Sequence, residues 1–146
     1  GGLTILASQR RAHDAVVLWD ATHTGHWEGD GIEDATTRWE PALGLYRLTG
    51  GLDVLVTEDF LASYRFLDCD RLVDDLDLPL LSVVAGDNVT RGVAARIRYH
   101  DRAPGPKKLV VIDEADHSFS NGETLDRVHR ETIAWLGEAG FPAALG

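Results

Sequence analysis

Two residues of this sequence are spaced to do acid–base chemistry together. Asp87 and His117 each follow a short run of aliphatic and β-branched residues, within the segments Ala85-Gly86-Asp87-Asn88 and Asp113-Glu114-Ala115-Asp116-His117-Ser118-Phe119. An imidazole can take a proton and return it near neutral pH, while a carboxylate on its other nitrogen fixes the tautomer and stabilises the charged ring. Acyl transfer needs this division of labour when a serine hydroxyl attacks a carbonyl carbon. Neither a cofactor nor a metal is implied by it.

The elements that must position these two side chains are legible around them. Three nearly continuous apolar runs, residues 15–19, 78–85 and 108–112, have the composition of strands covered on both faces in a parallel sheet. Helical periodicity falls at residues 2–11, 91–99 and 124–137, the last with Leu125, Val128, Ile133 and Leu136 on or near one apolar face. Helix, strand, helix, strand, helix predicts an α/β domain of three layers, α/β/α, on a mostly parallel sheet. Ligands of such sheets bind beyond the carboxyl ends of the strands, where Asp87 and His117 emerge.

Roughly sixty residues separate the first two strands, far more than a crossover needs. They include Trp27, Trp39, Tyr46, Phe60 and six glycines. The whole of residues 1–146 is expected to form one α/β domain, with residues 23–68 inserted as a lid or cap carrying short helices at 33–39 and 57–64.

The stretch Pro79-Leu80-Leu81-Ser82-Val83-Val84-Ala85-Gly86-Asp87 resembles the acid strand of the α/β-hydrolase family, and Ala115-Asp116-His117-Ser118-Phe119 resembles its histidine loop. Thr132-Ile133-Ala134-Trp135-Leu136 is similar to the family's closing helix, and Asp before His matches its chain order. Gly1-Gly2 before a helix of small residues resembles the tail of the nucleophile elbow. The resemblance implies the C-terminal half of a serine hydrolase that cleaves an ester, thioester or amide through an acyl-enzyme. It casts His117 as general base and acid and Asp87 as its orienting carboxylate. By this reading the serine falls two positions before Gly1, the chain alone is inactive, and a missing N-terminal half of the same fold is its expected partner. Glu114, where the family commonly has a small residue, departs from the pattern.

Other readings compete. Val110-Val111-Ile112-Asp113-Glu114-Ala115-Asp116-His117 also resembles the Walker B strand of DEAD-type helicases, but the sequence has no phosphate-binding Gly-x-x-x-x-Gly-Lys-Ser/Thr loop. A non-catalytic binding domain or acyl-transfer partner of the same fold is the other alternative. His23 and His26, with Asp20, Glu28 and Asp30, offer metal-binding side chains, yet Gly25 and Gly29 make the segment a loop without a ligand pattern.

Composition narrows the classes. A formal charge of −10 and a pI near 4.9 give no electrostatic footing for nucleic acid, so a small acyl substrate is the expected partner. No run approaches the roughly 18 apolar residues of a membrane span. The single Cys69 rules out an internal disulfide, in keeping with a cytoplasmic location. Trp19 and Trp135 are expected in the core, and His13, His100 and His129 on the surface.

Overall fold

The computed structural model describes residues 2–10, 12–21, 37–49, 53–65, 69–87 and 93–141. Its chain divides into two compact units, one of Gly1–His23 with Asp70–Gly146 and the other of Thr24–Cys69.

The first unit is a three-layer α/β/α arrangement. Its sheet is parallel, with β1 (Val16–Trp19), β5 (Leu80–Ala85) and β6 (Lys107–Ile112) in the order β1-β5-β6. The two registers, Val16 opposite Leu80 and Ala85 opposite Ile112, align the carboxyl ends of all three strands. β5 is central and every one of its six residues is buried, which explains its nearly continuous apolar run, broken only by Ser82. Alternate residues of a strand point to opposite faces, so β5 serves both outer layers. Leu81, Val83 and Ala85 meet Ile112, Phe119, Val128 and Trp135 on the side of α5 (Gly122–Glu138). On the other side, Ser82 meets His100 of α4 (Val93–Arg102). Two further helices, α1 (Gly2–Arg10) and α3 (Cys69–Asp74), are tied together by Gln9, whose amide donates to Leu72 O at 3.0 Å. α3 is tied in turn to α4 by Arg102 on Asp74.

Two expectations fail here, each for its own reason. Trp19 is 41% exposed because β1 is an edge of the described sheet and only part of it is covered. His100, expected on the surface, is buried against Ser82 because α4 turns that side inward.

The second unit holds an antiparallel sheet of β2 (Thr37–Glu40), β3 (Leu45–Thr49) and β4 (Asp53–Val56), followed by α2 (Glu58–Arg65). The helix expected at 33–39 is therefore wrong over residues 37–39, which are strand; residues 33–36 lie outside the described residues. Pairing across the hairpin decides the matter. Trp39 sits opposite Tyr46 with ring centroids 4.7 Å apart, and Gly44 turns the chain at φ 63°, a conformation glycine adopts without strain. The helix expected at 57–64 is present as α2, with Thr57 capping it by accepting from the Phe60 N–H at 3.1 Å. No helix among the described residues is long and apolar enough to cross a membrane.

Candidate active site

The loop between β6 and α5 carries His117, and its shape comes from its own polar residues. The Asp116 carboxylate accepts the backbone N–H groups of Ser118 at 2.9 Å and Ser120 at 3.1 Å, together with the Ser120 hydroxyl. The Ser120 hydroxyl, then its backbone N–H, holds the Asp116 carboxyl below the usual carboxylate range. Phe119 adopts φ 49° and buries its ring, and Asn121 then starts α5 by accepting from the Glu123 N–H at 3.0 Å. A second tie reaches the loop from β5, where Gly86 N–H bonds Ile112 O at 2.8 Å and Asp87 N–H bonds Ala115 O at 3.1 Å. Gly86 is required at that point. A Cβ on it would stand 2.4 Å from the Asp113 Cα, inside backbone that cannot give way.

From this loop the His117 ring, 57% exposed, directs Nδ1 to Asp20 Oδ2 at 2.7 Å. The structure thus gives His117 a carboxylate other than the expected one. Asp87 is exposed at the end of β5, and among the described residues its carboxylate makes no hydrogen bond or ion pair with His117. Asp20 instead lies completely buried just beyond β1, folded back over the end of the sheet. Its N–H bonds Val83 O at 2.6 Å, and its Oδ1 accepts the Ala85 N–H at 3.0 Å. The Arg96 Nε lies 2.8 Å from that same oxygen. The backbone of Asp20 has φ 39°, in the left-handed region that aspartate tolerates better than most residues.

Sequence reasoning named Asp20 only as one of several metal-binding side chains behind the first strand. No cluster of potential metal ligands occurs among the described residues, and His23, His26, Glu28 and Asp30 lie outside them. The signal that would have found Asp20 was available: it too follows a strand directly, and the strand-end rule that selected Asp87 and His117 applies equally to it.

Chemically, the arrangement is a polarised imidazole. A carboxylate only accepts, so Nδ1 carries the proton in this contact and Nε2 is the nitrogen that acts as base in the neutral ring.

No protein-family model and no curated protein matches the chain. Solved structures do. The esterase domain of a Rhodothermus marinus protein superposes with a TM-score of 0.67 at 20% identity, over 92% of this chain and 56% of that one. Est1E from Butyrivibrio proteoclasticus superposes with a TM-score of 0.68 at 17% identity, over 94% of this chain and 58% of that one. A structure of Est1E with ferulic acid bound gives 0.67, over 94% and 57% respectively. The chain therefore spans 56% to 58% of the length of these structures and has the α/β/α fold of their corresponding part.

Proposed function

We propose that this chain carries the acid–base pair of a serine hydrolase of the esterase kind, with His117 as general base and acid and Asp20 as its orienting carboxylate. The observation that carries the reading is the 2.7 Å contact between an exposed imidazole and a fully buried carboxylate at the carboxyl ends of the parallel strands. The esterase folds that superpose on the chain support the same class.

In this mechanism a serine Oγ attacks the acyl carbon while His117 Nε2 takes the hydroxyl proton, and Asp20 Oδ2 holds the Nδ1–H of the resulting imidazolium. The tetrahedral intermediate collapses to an acyl-enzyme as Nε2 passes its proton to the departing alcohol, thiol or amine. Water then attacks the acyl-enzyme, losing a proton to Nε2, which returns it to the serine Oγ as the acyl–oxygen bond breaks and the acid is released. The second unit, with its Trp39 and Tyr46 pair, is the proposed lid, and an acyl compound is the proposed substrate.

The test is labelling by a fluorophosphonate, together with hydrolysis of an aryl acetate. A hydroxycinnamoyl ester is tried beside it because one structure of this fold holds ferulic acid. Both assays are run on the chain alone and on the chain joined to whatever its gene encodes ahead of Gly1. Labelling and turnover that His117→Ala abolishes support the reading. Turnover untouched by His117→Ala, or no labelling in either form, overturns it.

A further inference from the structure

We infer that Arg96 is a positioning residue of this site, fixing which oxygen of Asp20 faces His117. The inference rests on the proposed acid–base role of the Asp20–His117 pair and adds a third member on a different element. Arg96 is only 5% exposed, on the face of α4 that also buries Tyr99 and His100. An arginine is almost never buried unless paired, and here the pair is Asp20, itself fully buried.

The geometry makes the contact directional. Oδ1 of Asp20 receives both the Arg96 Nε at 2.8 Å and the Ala85 N–H at 3.0 Å, so it is committed to the helix and the strand. Oδ2 is thereby turned toward His117 Nδ1 at 2.7 Å. The same Nε also reaches the Asp20 backbone carbonyl at 3.4 Å, so one guanidinium braces both the side chain and the left-handed backbone of the residue it orients. Its positive charge offsets the cost of burying a carboxylate. The Arg96 guanidinium bonds Asp20 and makes no hydrogen bond with His117, so it acts through Asp20. Lysine, as a point charge on a flexible stem, supplies the charge without the planar N–H that sets the carboxylate angle.

The experiment reads the contact directly in the 146-residue chain. The Nδ1 proton of His117 should give a far-downfield imidazole N–H resonance that His117→Gln and Asp20→Asn both remove. Arg96→Gln should abolish or broaden it, while Arg96→Lys should restore part of it. The His100 ring resonances, which report α4 packed on β5, should stay in place throughout. An unchanged His117 resonance in Arg96→Gln overturns the proposal. Should Arg96→Gln fail to fold, the wild-type Arg96 Nε–H decides. Slow exchange that becomes fast in Asp20→Asn supports the proposal, whereas exchange as fast as that of the exposed Arg71 sinks it.

In any form that turns over ester, Arg96→Gln should lower kcat about 10- to 100-fold with little change in KM, a range taken from outer partners of metal-bound histidines. The resonance is read whether or not the chain hydrolyses anything. Absence of activity with the resonance intact and Arg96-dependent would overturn the proposed function and leave the positioning role standing.

Discussion

Asp20 and Asp87 are both aspartates directly behind a parallel strand, and what separates them is burial and partners. Asp87 meets water, whereas Asp20 is held by a strand N–H and a guanidinium and gives its other oxygen to an imidazole. If the pair does acid–base work, Asp20→Asn should lower turnover by up to about 10⁴-fold, as loss of the equivalent carboxylate does in serine proteases. Asp87→Asn, an exposed change, should alter stability by no more than about 0.5 kcal/mol and leave turnover near wild type. Parallel measurement of kcat for the two variants checks this, and the opposite order would return the role to Asp87. His117 was legible because it follows a strand end in a segment resembling a histidine loop, with an aspartate behind the preceding strand; a lone histidine in such a loop would read as an ordinary polar residue. Asp20 was legible only as a polar residue at a strand end; its pairing with His117 was not, since it spans 97 residues and depends on a left-handed turn that no local pattern encodes. Arg96 was hidden more deeply, because an arginine in a helical pattern is ordinarily read as solvated.

α4 shows the same difficulty at the level of an element. Its existence follows from the periodicity of residues 91–99, and the helix runs Val93–Arg102, but its buried face is polar. Arg96 and His100 point inward because β5 and the end of β1 offer them Ser82 and Asp20 as partners. The sequence pattern places a helix without saying which polar residues will find partners. The antiparallel sheet of the second unit was missed for a related reason, since short strands are decided by cross-strand pairs such as Trp39 and Tyr46.

The buried His100 has a consequence that can be measured. Burial, then the nearby positive charge of Lys107, lowers its pKa, against a smaller opposing effect of Asp101. Depressed in the folded state, this group contributes stability that is present above the ordinary histidine value of about 6.5 and lost as pH falls through its folded-state value. Between those points the unfolded chain binds the proton more readily than the folded one. Urea denaturation should therefore show the midpoint falling from pH 7.5 toward pH 5 more steeply in the wild type than in His100→Gln, which keeps a hydrogen-bonding group beside Ser82 and cannot titrate. Equal slopes would mean that His100 charges without cost.

At the scale of the molecule, the parallel sheet of the described residues has its buried strand in the middle and β1 at one edge. The N–H groups of Val16 and Asp20 point to β5, bonding Pro79 O and Val83 O, and alternate residues of a parallel ladder point to opposite sides. The N–H groups of Val17 and Trp19 therefore face away from the sheet. That edge is apolar and includes the 41% exposed Trp19, whose indole N–H donates to Thr132 of α5 at 3.1 Å. An extended edge of this kind, without a charge or a proline, is a template for pairing with another strand. The 146-residue chain on its own should accordingly self-associate, with a sedimentation coefficient that rises with concentration. Val17→Pro should shift it toward monomer, because proline removes one outward N–H while leaving the ladder to β5 untouched. Val17→Ala, which loses the same packing against the α5-side core but keeps the N–H, should associate like the wild type. Monomeric behaviour of the wild type at high concentration, or equal association of the alanine and proline variants, would show that the outward N–H groups of β1 are not what recruits a second strand.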